Sequence, residues 1–481
     1  MEEEVINKGY LDQLELTEIL ALPFYVFLIV ALAYIYQMRK VRSNPSYKFF
    51  ARGILAKMVG GAVFCFVYVY YYNGGDTIAY FESARSFSKL FLLHPYDFSK
   101  AYFESASYET YNLFDNSTGF PQGYIFFEGR TLFVVKMIVP VVLLGFNSYL
   151  ISTLILSVLS FIGIWNMYQV LCKYYPSLYR ILAIGFIFFP SAIFWGSGIL
   201  KDTISFSAVC WLISSFEKGF ISKVNVPRNL IVVLLSGYII IFVKPYIFMA
   251  AVPGLIVWLL HARVIRIRSN LWRYLSIPII YVLSIGVGVG VMSALGDKMK
   301  QFSLNRVLET ASITQKDLKN AEYQGHSFDV GSYDGTLSGV TSKLPVAIVA
   351  GLFRPFIWES KNVVMILSGL ENLILLILFI RPFIKIGIRK IFSILFKEPL
   401  LLFLFSYSLL FAFSIGVSTS NFGALIRFKI AFAPFFAGLL LVLLNYDKLV
   451  VFRKKQLAKE MLIKEREANR KSSLWQPQPA V

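Results

Sequence analysis

Charge is scarce in this chain. Only 16% of its 481 residues are Asp, Glu, Lys or Arg, against about a quarter in soluble domains, which argues against a soluble globular protein. Cysteine and histidine are scarcer still, with three of each. Cys65, Cys172 and Cys210 all fall in or beside apolar runs. That pattern gives no disulfide framework and no zinc-ligand spacing. The histidines form no HxxxH or HExxH pair. Acid is the rarer sign of charge, so the net charge is +19. In a membrane protein an excess of Lys and Arg marks cytoplasmic loops, and no nucleic-acid partner is implied. The start, Met1-Glu-Glu-Glu, lacks the basic region of a cleaved signal peptide, so the first apolar run is expected to be retained as an anchor. No internal repeat is visible.

What the chain has is apolar length. It is 57% hydrophobic, with a mean hydropathy of +0.63. Several runs approach or exceed the roughly 20 residues that span a bilayer. Candidate spans are 18–37, 51–72, 149–172, 181–199, 202–217, 229–243, 246–261, 274–295, 361–380, 399–416 and 421–443. Two further stretches, 131–146 and 344–357, are short and carry Lys136 and Arg354. If these two do not cross, every strongly basic short loop falls on one side, as the distribution of Lys and Arg in membrane proteins requires. If both crossed, the four arginines of 263–273 would face outward.

The expectation is therefore an all-α, polytopic transmembrane helical bundle. It has about 11 crossings, N-out and C-in, and two re-entrant or interfacial segments on the outer face. Its parts are an outer N-terminal segment (1–17), a transmembrane domain (18–446) and a cytoplasmic charged helix with a disordered tail (447–481). The outer regions of that domain are 73–148 and 296–360. Within the first, Phe81 to Leu93 has one apolar face and reads as a helix lying in the interface.

Ionisable residues then collect at the outer ends of spans. Asp76 ends the stretch Asn73-Gly-Gly-Asp76, where two glycines permit a sharp turn. Asp is costly within hydrocarbon, so one at this depth is a functional candidate; the plainer reading is a cap on the helix that follows. Glu128 and Arg130 precede the first short stretch. Lys201 and Asp202 follow Pro190-Ser-Ala-Ile-Phe-Trp195. Lys244 and Pro245 form another outer turn. Arg354 and Glu359 flank the second short stretch, and Arg427 and Lys429 open the last span. Single Lys or Arg residues near span ends commonly snorkel to headgroups, and Glu371 and Asn372, mid-span, read as polar packing between helices. Arg427 lies deeper and wants an anion or a carboxylate. Carboxylates beside cations at a membrane boundary suit a lipid phosphate. Arg matches phosphate oxygens with a planar fork, and a carboxylate can act as general base toward a hydroxyl.

With these residues the chain resembles the GT-C class of integral membrane glycosyltransferases, which use polyprenyl-phosphate-linked sugars. The likeness rests on Gly75-Asp76 with Tyr80 at the outer end of an early span, on a long first outer loop, and on Arg427-Phe-Lys-Ile-Ala-Phe-Ala-Pro434 opening a late span. The Pro190 to Asp202 segment is similar to segments in polysaccharide-assembly members. An extra span precedes the motif Asp, and there is no WWDYG-like signature and no large C-terminal outer domain. The resemblance implies an inverting transferase with Asp76 as general base. Asp202 would position the acceptor or a cation, and Arg427, with Lys201 or Arg354, would bind the donor phosphate. Lys244, Tyr80, Glu128 and Arg130 complete the expected substrate-binding set. A divalent cation is compatible with it, and nothing in the sequence demands one.

The partners so implied are a lipid-linked sugar donor, membrane lipids, and a glycan, lipid or protein acceptor; the high Lys content and acidic N-terminus suggest a bacterial inner (plasma) membrane. A polysaccharide polymerase or ligase acting on lipid-linked glycans would use the same groups. A transporter of such glycans would instead show repeats or helices broken near the midplane. A purely structural subunit would tolerate change at Asp76.

Overall fold

The computed structural model describes residues 14, 16–298, 328, 331 and 337–474. Most of the expected outer N-terminal segment, most of loop 296–342 and residues 475–481 lie outside them. The described residues are helical, with no β-strand among them.

The chain opens with α1 (Leu16–Val41), α2 (Pro45–Tyr71), α3 (Asp76–Leu93), α4 (Pro95–Phe103), α5 (Gly129–Leu144) and α6 (Tyr149–Tyr174). There follow α7 (Pro176–Ile187), α8 (Pro190–Phe194), α9 (Lys201–Ile221), α10 (Val226–Val243), α11 (Pro245–Val264) and α12 (Asn270–Lys298). The last third holds α13 (Leu344–Phe353), α14 (Val363–Lys385), α15 (Ile388–Lys397), α16 (Pro399–Ser418), α17 (Phe422–Lys429), α18 (Ala433–Leu444) and α19 (Tyr446–Leu474). Local chemistry sets many of the starts. Pro45, Pro95, Pro176, Pro190, Pro245 and Pro399 stand in first turns, where a missing N–H costs nothing. Ser148, Asn362 and Asn421 cap α6, α14 and α17 with side-chain oxygens, each satisfying amides that a helix start leaves unpaired.

Nine of the described helices are long and apolar enough to cross a membrane, or ten if α17 and α18 form one span bent by 59°. The expected span 181–199 is not one helix. Phe189-Pro190 breaks it, because Pro190 cannot donate to the preceding turn, and Trp195 to Leu200 is unwound. Glycines let α2 press on this segment: a Cβ at Gly60 would meet the Ile193 carbonyl at 2.3 Å, and one at Gly198 the Phe64 ring at 2.2 Å. Lys57, buried in α2, donates to the Ala192 carbonyl at 3.3 Å and to that of Gly196. These carbonyls close the end of α8 and have no partner within it.

α9 packs between α6 and α10, and α16 against α11 and α13. The stretch Phe81 to Leu93 is helical, as expected, and its apolar face is buried within the protein, while Phe91, Leu92 and Leu93 are exposed. In α3, which packs on α5, Ile78, Phe81, Ala84, Phe87 and Leu90 are buried, with Phe81 against Tyr149 of α6 and Phe87 against Phe114 and Phe126. The stretches 131–146 and 344–357 form helices of 16 and 10 residues. The charged tail is helical, as its composition suggests, and runs to Leu474.

Candidate functional site

Asp76 does not cap its own helix. Asn73, Gly74 and Gly75 all take positive φ (51°, 130° and 117°), which glycine tolerates and a side chain resists. The turn ends α2, and the cap position of α3 falls to Gly75, with no side-chain cap bond. The Asp76 carboxylate is therefore free to reach across 351 positions to Arg427, whose Nη1 donates to it at 3.0 Å.

Arg427 bridges two carboxylates. Its Nη2 lies 3.5 Å from Asp202 Oδ2, and Asp202 also pairs with Lys244. The two acids differ sharply in exposure. The Asp76 side chain is 50% exposed, Asp202 2%, and Arg427 between them 20%. Asp202 reaches this place because α9 starts abruptly after the unwound segment. Thr203 holds that segment by donating its hydroxyl to the Gly198 carbonyl at 2.6 Å. Lys244 sits in the turn between α10 and α11, where Pro245 starts a new helix. Its ammonium lies 4.0 Å from the Phe428 ring centroid, a cation–π contact. Burial pulls the Lys244 ammonium below the ordinary lysine range, and the Asp202 carboxylate opposes that pull.

A second ion pair adjoins the first. Lys201 donates to the Thr131 hydroxyl at 2.6 Å, lies 3.6 Å from Glu128 and stands 5.8 Å from the Tyr80 ring. Glu128 caps α5, accepting from the Arg130 and Thr131 amides. Partial burial raises the Glu128 carboxyl, but Thr131 and the Lys201 charge outweigh it and hold the carboxyl below the usual range. Arg130 lies within electrostatic reach of Lys201 and Tyr246.

Of the residues expected from sequence, Asp76, Asp202, Lys244 and Arg427 meet directly. Lys201, Glu128 and Tyr80 form the adjoining group, with Arg130 beside it. Arg354 stands apart: it pairs with Glu359 at 2.8 Å, on the side of α17 where Lys429 donates to the Arg354 carbonyl and to Asn372. Asn372 in turn donates to the Pro355 carbonyl, and Glu371 accepts from the Ser191 amide, which is the interhelical packing expected of both.

Sequence reading missed Tyr68, Thr131, Tyr246 and Phe428. Tyr68 and Tyr246 are buried within electrostatic reach of Asp202 and Arg427. No spacing rule singles out a tyrosine in so aromatic a chain, although Tyr246 and Phe428 are close neighbours of Lys244 and Arg427 in sequence. Three buried polar atoms here lack a hydrogen-bond partner: Arg427 Nε, Asp202 Oδ2 and the Tyr246 hydroxyl. Buried polar atoms normally find partners, and Arg427 Nε is the one of these that belongs to the bridging guanidinium. Among the described residues no cluster of His, Cys, Asp or Glu could hold a metal ion. Comparisons of the chain with family models, with curated proteins and with solved structures find no match.

Proposed function

We propose that the protein is a membrane glycosyltransferase of the GT-C kind, moving a sugar from a polyprenyl-phosphate-linked donor to an acceptor hydroxyl. The observation that carries this reading is the Arg427 guanidinium, shared between a buried carboxylate and an accessible one, with its Nε unpartnered. Asp202 is a positioning residue that holds Arg427 and Lys244. The donor phosphate takes the accessible side of the Arg427 fork, and Asp76, displaced from it, becomes the general base. The acceptor O–H proton passes to Asp76 as the acceptor oxygen bonds to the anomeric carbon. The bond from that carbon to the phosphate oxygen breaks, with inversion, and Arg427 stabilises the departing charge. Lys201, Glu128, Arg130 and Tyr80 border the acceptor side, and Arg354 lies outside the reacting groups.

The proposed topology is 11 crossings with the site on the outer face of a bacterial inner membrane. The 176–200 segment supports an eleventh crossing: it leads from Lys173, bonded to Glu217 near the far end of α9, back to Asp202 at its start. The basic residues Arg39, Lys40, Lys173, Lys218, Arg263, Lys385 and Arg389 gather at the end opposite Asp76, which supports a cytoplasmic assignment for that end.

The test compares lipid-linked and surface glycans in cells lacking the protein, carrying wild type, or carrying Asp76→Asn at equal level. Transfer is expected to vanish with Asp76→Asn, as in the deletion, with one glycan short of a sugar or of its polymer ladder. A normal profile with Asp76→Asn overturns the enzymatic reading. It would favour a transporter, for which the broken α7–α8 and α17–α18 segments are the relevant features.

A further inference from the structure

We infer that the chain carries a second ligand site, at the end opposite the ion cluster, built for the headgroup and one hydrocarbon chain of an anionic phospholipid. It is independent of the proposed transfer reaction. Asp202 and Lys218 stand 16 positions apart on α9, roughly 24 Å at helical rise.

Three cavities meet at Lys218. The largest, about 640 Å³, runs between α1, α2 and α6. Its walls are apolar along most of its length, with Leu32, Ala33, Phe50, Ile54 and Val158, and it becomes polar only at Asn166, Gln169 and Lys218. α1 packs sparsely, and Leu32 is exposed, so the apolar arm opens sideways to the bilayer. Two further cavities, about 410 and 490 Å³, share Lys218 and are lined by polar side chains, Arg228 in one and Lys173 in the other. An apolar arm leading to a polar, cationic chamber is the shape of an amphiphile.

The sign of the headgroup follows from the ion pairs. Glu217, the adjacent carboxylate, already accepts from Lys173, Tyr174 and Ser222. Lys218 donates to the neutral Asn166 amide at 2.8 Å, which uses one of its three N–H groups. Neither Lys218 nor Arg228 is ion-paired among the described residues; Lys218 lies in the field of Glu217, which Lys173 already pairs, and in those of Arg228 and Lys173. Three cations around one acid, which Lys173 already pairs, leave an excess of positive charge that favours an anion, and a phosphate accepts charge-assisted bonds from both Lys218 and Arg228. The Gln169 amide at the junction is fixed by Asn44 and Ser46, so the mouth is preorganised. A zwitterionic headgroup brings a quaternary ammonium, and Glu217, the carboxylate lining these cavities, is already engaged by Lys173, Tyr174 and Ser222.

The test uses purified full-length protein stripped of lipid in neutral detergent. It is offered phosphatidylglycerol or phosphatidylcholine with the same acyl chains, and bound lipid is counted by native mass spectrometry. Phosphatidylglycerol is expected to be retained over phosphatidylcholine by roughly tenfold or more, as two cations near an anionic lipid provide. The double variant Lys218→Gln, Arg228→Gln brings the two lipids level. Ala33→Trp, which fills the apolar arm and leaves every charge in place, lowers retention of both. Glycerol 3-phosphate and inorganic phosphate give no lasting adduct. Equal retention of the two lipids by wild type, undiminished preference in the double variant, or glycerol 3-phosphate held as well as the lipid would each overturn the proposal. If the double variant does not fold, Lys218→Arg, which should keep the preference, and Ala33→Trp decide the matter.

Discussion

The two ends of the bundle solve the same problem differently. At the end opposite Asp76, Glu398 takes Arg453 and the Tyr446 hydroxyl, tying α19 to the start of α16. Glu217 there is similarly surrounded by Lys173, Tyr174 and Ser222. At the Asp76 end the charges are as close, but Asp76 stays half exposed and Arg427 Nε has no hydrogen-bond partner. A carboxylate ringed by donors holds helices together. One shared through an under-used guanidinium has capacity left for a ligand. Among the carboxylates, the contrast singles out Asp76.

The largest expected effect that would break this comparison is on activity. Asp76→Asn should lower sugar transfer by about 10²–10⁴-fold, the usual worth of a general base. It should change thermal stability little, because exposed ion pairs contribute about 1 kcal/mol or less. A transfer assay in membranes and a melting curve check the two halves; a large stability loss would make Asp76 a structural residue like Glu398. Asp202→Ala removes the carboxylate between two buried cations and should cost about 3–5 kcal/mol of stability, with transfer lost as well. Glu217→Gln is the matched control at the other end: it should destabilise the protein on melting while leaving the transferred product unchanged. If it abolished transfer in folded protein, the division between the two ends would fail.

Smaller effects sharpen the picture. Gly75→Ala forces a side chain into a φ of +117°, at a cost of about 1–3 kcal/mol. It should weaken transfer more than overall stability, by misplacing Asp76. Glu128→Gln should cost about 1 kcal/mol at neutral pH through the lost cap. Because the folded Glu128 carboxyl is held below its usual range, its contribution is complete above about pH 4.3, its unfolded value. It is lost as pH falls through the lower folded value. The gap in melting temperature between wild type and Glu128→Gln should therefore close in acid and persist at pH 7.

Much of the architecture is legible in the linear chain. Helix starts at Pro45, Pro245 and Pro399, the cap at Ser148 and the solvated charge pattern of α19 all follow from local rules that need no neighbours. The broken crossing at 181–199 was less legible. Phe189-Pro190 marks a break in sequence, but hydropathy averages over it, and the carbonyls of the unwound stretch after Trp195 are satisfied by Lys57, Ser160 and Thr203 side chains. The candidate acids and cations were legible as types at span ends, since charge at that depth is rare in so apolar a chain. Their pairing was not: Arg354 carries the same kind of charge as Arg427 but faces Glu359.

By itself the sequence determined that this is a helical membrane chain, where most of its helices begin, and that carboxylates and cations gather at one end. These follow from hydrophobicity, helix-end chemistry and the cost of charge in hydrocarbon, all short-range or additive along the chain. Only the tertiary structure decided that Asp76 reaches Arg427 instead of capping α3, that Asp202 is buried behind it, and that Lys218, Arg228 and Lys173 line adjoining cavities with Glu217 as their one acid. Each of these depends on which helices pack together and on the direction a side chain takes from its helix. Such contacts join residues up to 351 positions apart, and no local pattern encodes them.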